Sequence, residues 1–486
     1  MLPFFATFSL AQVIPANLEA RQPAQELIIQ KQEIRKLPGS LDEIPVFNSN
    51  SPEVIQDEGI LLSTFPPDRK AVPDAHLNLP LKGKFDLFAH HIARGKTPQD
   101  WQPIYQGAIV YNPGNRSVSI NIVQAASYVT NPDAPFLDLP SYVENPFGDI
   151  FSGPGSRLMT DILKGRSQLR FPQQIIIPPR QSRMLYSLPI MLGNARSTFM
   201  RLESNGQVYI ATLAMRAPIA APDNSSIAET GKQKQQLDNL KPDSLNPSKP
   251  SKSFIASYRE PTLQEWETFL NTANLAGPRD LAPTPLEDED VVDEFIYGRV
   301  AGVARGSQWS ADLVDSSDAK YLTIPKAGKS FSYPLSTVNA NTLGTGQVQS
   351  APLLVRYADT AYLAHGNYGV RYHLRLPLFN DTDEKQTVTI SLQTPLKNER
   401  QKDELFFRQS PTGQIFFRGT VRVKYLDDQG ISRTRAVHLV QREGQQGEPL
   451  VTIHLRPEEN RLVEVDFFYP PDATPPQVLS VNTVKE

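Results

Sequence analysis

A chain of 486 residues with 39% apolar and 21% charged content is long enough for more than one hydrophobic core and too apolar to be disordered. Its formal net charge of −3 excludes the basic footprint of a nucleic-acid binder or a polybasic membrane-surface protein. The lack of cysteine excludes disulfides, thiolate metal sites and cysteine nucleophiles, and 43 prolines, about 9% against a usual ~5%, argue against a helical bundle because proline breaks helices.

Residues 1–11 read as the later part of a secretory signal: an apolar run, then the small-x-small pattern Ser9-Leu10-Ala11, though without a positively charged start. Nothing else approaches the ~20 apolar residues of a membrane span. Residues 12–45 form an extended, proline-punctuated arm with one strand expected at Glu26–Gln30. From 46 to 217 a first β domain is expected. Its runs Ile60–Phe65, Phe85–Ile92, Ile104–Tyr111, Val118–Val123, Met184–Pro189 and Val208–Leu213 are bounded by Gly, Pro, Asn or Ser. Between Asn131 and Phe171 lies a proline-rich insertion, expected to cover a sheet edge as a surface loop with a short helix near Met159–Leu163.

Residues 218–295 read as a flexible, disordered linker carrying one short amphipathic helix over about 263–275. Thr262-Leu-Gln-Glu265 is a capping box, Gly277-Pro278 is a stop, and Leu263, Trp266, Phe269 and Leu270 share a face that should dock. The acidic run Glu287-Asp-Glu-Asp290 lacks the spacing of a calcium loop and suits solvated linker. The second β domain, 296–486, contains the hairpin Thr420–Tyr425 with Thr434–Gln441 and a strand at Leu450–Leu455. Across the Gly444–Gly447 turn His438 and His454 could face one another.

The two β regions echo each other. Leu62-Ser-Thr-Phe65, Phe88-Ala-His90, the run ending at Asn112 and Pro179–Leu185 recur in order as Leu335-Ser-Thr-Val338, Leu363-Ala-His365, the run ending at Asn380 and Pro457–Val463. The expected fold is therefore mainly β: two β-sandwich-like domains from a divergent internal duplication, joined by the linker.

No phosphate loop, dinucleotide fingerprint, His-Glu-x-x-His pair or Gly-x-Ser-x-Gly elbow occurs. The candidates for acid–base or metal chemistry are Asp86, His90 and His365. His90 and His91 are adjacent, so on a strand they point to opposite faces and cannot share a metal. The plainer role for His90 and His365 is hydrogen bonding at matched corners of the domains. Trp309, Tyr362, Tyr368 and Tyr372 could form a platform for sugar rings, or could simply fill a β core. No cofactor and no metal is expected.

At Phe47-Asn-Ser-Asn-Ser-Pro52, Gly59–Pro67, Ala89-His-His-Ile92, Ala276-Gly-Pro-Arg279, Tyr297-Gly-Arg-Val-Ala-Gly302, Tyr362–Gly369 and His438-Leu-Val-Gln-Arg442 with Gly447–Leu450, the chain resembles a cyanobacterial family of secreted-looking proteins catalogued as a domain of unknown function. The likeness covers nearly all of the chain except Ala217–Ser253. It implies no activity, cofactor or catalytic residue, but it implies export in a Gram-negative, photosynthetic host. The expectation is an exported, non-enzymatic structural or binding protein of the cell envelope or exoproteome, in the periplasm, at the outer surface or outside the cell, with envelope or extracellular polysaccharide as partner. The alternatives are a cell-surface hydrolase or metalloenzyme, and a glycan-binding module.

Overall fold

The computed structural model describes residues 26–220, 257–288, 294–397, 403–411 and 413–485. The signal-like segment 1–11, most of the expected linker, and Glu289 and Asp290 of the acidic run lie outside these residues. Among the described residues the protein is mainly β, built of open sheets with two α-helices. No helix among them is long and apolar enough to cross a membrane.

In chain order the earlier strands are β1 (Leu27–Lys31), β2 (Glu33–Ile34), β3 (Ser40–Leu41), β4 (Pro45–Ser49), β5 (Val54–Ile55), β6 (Gly59–Ser63), β7 (Leu81–Ala93), β8 (Ile104–Tyr111), β9 (Val118–Val129) and β10 (Tyr142–Glu144). Helix α1 (Pro154–Leu163), β11 (Gln174–Ile177), β12 (Ser182–Ile190) and the long β13 (Ala195–Arg216) follow. After helix α2 (Leu263–Thr272) come β14 (Ala301–Arg305), β15 (Gln308–Asp312), β16 (Leu322–Thr323), β17 (Ser330–Leu335), β18 (Ala351–Arg356), β19 (Leu363–Ala364), β20 (Arg371–Phe379) and β21 (Gln386–Gln393). The last are β22 (Glu404–Arg408), β23 (Ile415–Leu426), β24 (Ser432–Arg442), β25 (Pro449–Leu455), β26 (Asn460–Phe468) and β27 (Gln477–Thr483).

One sheet runs β11-β9-β13-β7-β4-β14-β18-β19, so strands from both sides of α2 complete it. The second half of β13 leaves that row to pair with β6 and β8. A five-stranded sheet runs β2-β17-β27-β21-β25, and a third runs β10-β24-β23-β26-β20-β15-β3. The five-stranded sheet has strand pairings like those in part of the first. Phe85, Leu202 and Ile122 align across β7, β13 and β9, as Phe331, Val481 and Ile390 align across β17, β27 and β21. In each, the next strand outward is parallel: β4 beside β7, and β2 beside β17.

The likeness extends to two buried asparagines. Asn112 Nδ2 donates to the carbonyls of Arg116, Ile177 and Pro178, and its Oδ1 accepts from Gly114 N–H. Asn380 Nδ2 donates to the carbonyls of Glu384, Leu455 and Arg456, and its Oδ1 accepts from Thr382 N–H. Arg180 and Glu458, which donate backbone N–H groups to the two asparagine carbonyls, both have positive φ, 56° and 59°. The Asn112/Asn380 and Pro179/Pro457 markers thus fall at like places. The other two do not: Leu62–Phe65 ends β6, whereas Leu335–Val338 ends β17, whose neighbours match those of β7.

The insertion between Asn131 and Phe171 covers a sheet edge as expected, through β10 on β24, and carries the expected helix, but it is packed into the protein rather than lying on it as a loop. Its helix α1 buries Leu158, Met159, Ile162 and Leu163 and bonds through Thr160 Oγ1 to Thr420 Oγ1, 2.8 Å away on β23. His438 and His454 do not face each other, because the turn between them passes from one sheet to another. His438 is buried beside Thr420 at 3.2 Å, and His454 meets Asp428 at 2.7 Å. Helix α2 forms with its capping box intact. It docks through the fully buried Trp266 against Gly107, where a Cβ would lie 2.8 Å from the indole.

Candidate functional site

A cleft opens where β4 ends and β14 begins, the ladder being extended by Asn50 N–H donating to Val300 O at 2.8 Å. The cleft is small, with a cavity volume of about 80 Å³ against roughly 300–1,000 Å³ for sites that enclose a drug-sized ligand, so it can take one group of a larger ligand rather than enclose the whole. Its walls include Asn50, Tyr297, Arg299, His365, Tyr368 and Lys397.

The segment bearing His365 and Tyr368 is rigid because of its sequence. His365-Gly-Asn-Tyr-Gly369 places glycine or asparagine at three left-handed positions, Gly366 (φ 91°), Asn367 (φ 50°) and Gly369 (φ 83°). A Cβ on Gly366 would come within 2.9 Å of the Tyr368 ring. Asn367 is buried and pins the loop, donating to Gln349 O at 2.8 Å and accepting from Ala351 N–H at 3.1 Å. Tyr297 and His365 meet edge to face at 4.9 Å, and Tyr368 donates its hydroxyl to Ala473 O at 2.9 Å. Burial pushes the His365 imidazole down to about 4, so it is neutral at physiological pH.

On the opposite wall Arg299 pairs with Glu53. Burial raises the Glu53 carboxyl, and Arg299 opposes that rise. Glu53 Oε1 also lies 3.9 Å from His90 Nε2. Asn50 is 4% exposed and its Oδ1 is buried without a partner. Such a group costs free energy unless something binds to it.

Of the residues singled out from sequence, the cleft gathers His365 and Tyr368. Asp86 is buried on β7 against Arg201, 3.4 Å away, and burial lifts its carboxyl to about 7 despite that cation. His90 bonds Ser197 Oγ at 2.8 Å and is pushed down to about 3, first by burial and then by Arg299. Trp309 stacks on Tyr372, centroids 6.5 Å apart, and Tyr372 is fully buried against Phe467; both fill the core. Tyr362 lies under the Arg356 guanidinium, 3.9 Å from it. Among the described residues no three His, Asp or Glu side chains converge as metal ligands. Asn50, Tyr297, Arg299 and Lys397 were not foreseen. The first three lie in Phe47–Pro52 and Tyr297–Gly302, two of the strings that carry the resemblance; Lys397 had no signal.

His91, on the other face of β7, shows how firmly these imidazoles are held. Its Nδ1 donates to Pro52 O at 2.7 Å and its Nε2 accepts from Ser49 Oγ at 3.0 Å. Burial depresses it from 6.5 to about 4. Between those values the unfolded chain binds a proton that the fold refuses, so this histidine's contribution is complete above 6.5 and declines as pH falls toward 4. The destabilisation caused by His91→Gln should therefore shrink between about pH 7 and about pH 5, measured as the urea-midpoint difference from wild type.

The model of a family described as "Protein of unknown function (DUF3370)" matches residues 32–483. No curated protein matches the chain. Among solved structures, Lac15 from a marine microbial metagenome is 8% identical, with 92% of this chain and 64% of that chain covered and a TM-score of 0.10. The 11S allergen of Cocos nucifera is 9% identical, with coverage of 93% and 90% and a TM-score of 0.09. Pumpkin seed globulin is 9% identical, with coverage of 89% and 87% and a TM-score of 0.10. At these scores the likenesses carry no argument.

Proposed function

Since the chain belongs to this DUF3370 family, whose description gives no activity, we propose from the geometry that it is an exported, non-enzymatic binding protein that holds a saccharide in the cleft. The observation that carries this reading is the gathering of three aromatic rings in one cleft wall, beside one unmade hydrogen bond just beneath it. Tyr297, His365 and Tyr368 line the cleft with aromatic rings, and Asn50 supplies a side-chain oxygen with no protein partner. Sugars are bound in that way, ring face against aromatic and hydroxyls against amide. The polysaccharide of a cyanobacterial envelope or exoproteome is the natural source of such a ligand. The signal-like Ser9-Leu10-Ala11 supports export.

We also infer that the two sheet units descend from one duplicated module, which the matched bonding of Asn112 and Asn380 supports. That ancestry does not itself bear on the ligand, since a fold and its site evolve separately.

Binding is tested by pull-down and calorimetry against a panel of neutral and acidic polysaccharides. His365→Ala removes one wall at little structural cost, because the ring's one hydrogen-bond contact, to Ser350 Oγ, is long at 3.5 Å. The expected result is binding weakened by about tenfold, on the scale of one stacking contact, in a protein that remains folded. A binding-competent His365→Ala protein, or a wild type that binds nothing in the panel, would refute the reading.

A further inference from the structure

We propose that the cleft selects a carboxylate-bearing sugar unit, its anionic group received between Lys397 and Arg299; this rests on the saccharide reading above. The lining contains these two cations and no aspartate or glutamate. Among the described residues Lys397 makes no ion pair and no hydrogen bond, its Nζ lying 5.6 Å from the Phe416 ring centroid. Arg299 has Glu53 as its ion-pair partner, which leaves Lys397 as the lining cation with no ion-pair partner among the described residues.

A desolvated ammonium without an anion is costly, and an incoming carboxylate offsets that cost. Burial lowers the Lys397 amine to about 8, with Glu443 acting in the opposite direction, so it still carries its charge at neutral pH. The walls then divide the work. Lys397 and Arg299 hold the charged group as charge-assisted donors. Tyr297, His365 and Tyr368 flank a ring, and the neutral His365 suits hydroxyls. A neutral sugar would leave the ammonium uncompensated, and a small free carboxylate would leave the ring faces wet.

The experiment is calorimetric titration of the full-length protein with tetragalacturonate and with its methyl ester, which keeps the shape and removes the charge. The acid should bind about tenfold or more tightly than the ester. Lys397→Met should abolish that ratio while leaving the unfolding midpoint in place. High salt should narrow the ratio. Equal affinities for acid and ester would overturn charge selection yet leave the saccharide reading standing, and so would an unchanged ratio in Lys397→Met. If neither ligand nor any polysaccharide of the panel binds, both proposals fail together.

Discussion

Replacing Asn380 with alanine should destabilise the protein by about 3 kcal/mol or more, and Asn112→Ala should cost about as much. Each side chain is fully buried and holds three carbonyls and one backbone N–H. The innermost of those groups, Ile177 O and Leu455 O, are in buried bonds, and an orphaned buried partner carries a desolvation penalty of about 1–3 kcal/mol before relaxation. Aspartate should rescue neither site, because a carboxylate cannot donate to the carbonyls that Nδ2 serves. Urea denaturation of the four variants checks the point. A loss below about 1 kcal/mol at either position would mean that the corner is held by its strands rather than by the amide.

A comparable effect is expected at Asp466. This carboxylate is 3% exposed. It takes a two-pronged contact from Arg371, at 2.8 and 2.7 Å, and a further one from Arg422. Arg422 Nη1 in turn donates to Leu163 O at 2.9 Å, tying the end of α1 to β23. Burial works against ionisation, yet Arg371 and Arg422 prevail and hold Asp466 below its ordinary value. Asp466→Ala leaves two half-buried cations facing each other, a change of about 3–5 kcal/mol for a broken buried pair. Asp466→Asn should cost less, since the amide oxygen can still accept. The depressed carboxyl contributes its stability above the ordinary 3.8 and loses it as pH falls through the folded value. The gap between wild type and Asp466→Ala should therefore narrow in acid, which denaturant titrations at two pH values would show.

Strands were legible where turn residues enclose them, and so was α2, whose capping box and Gly277-Pro278 stop are local chemistry. The asparagine corners were legible because a buried amide that serves so many backbone groups tolerates little change of residue. Sheet partners were not, because pairing such as β4 with β14 joins residues about 250 apart, and period-2 patterning fixes a strand's faces without naming its neighbours. That limit misplaced the Leu62–Phe65 and Phe88–His90 echoes, and it let His438 and His454 look like a cross-strand pair. The site was half visible. His365 and Tyr368 could be singled out as residue types, but only folding distinguishes a tyrosine on a cleft wall from Tyr372, one strand further along, inside the core.

The sharing of one sheet by early and late strands constrains how the chain can be divided. A fragment ending near Arg216 would lack β14, and the row of N–H and C=O groups along β4 that β14 normally covers would be left as an open, largely apolar edge that templates association. The N-terminal half should thus behave as a sticky intermediate until the downstream segment arrives. Surface display or crystallisation of the cleft would call for co-expression of both halves, not for trimming at the boundary that composition suggests.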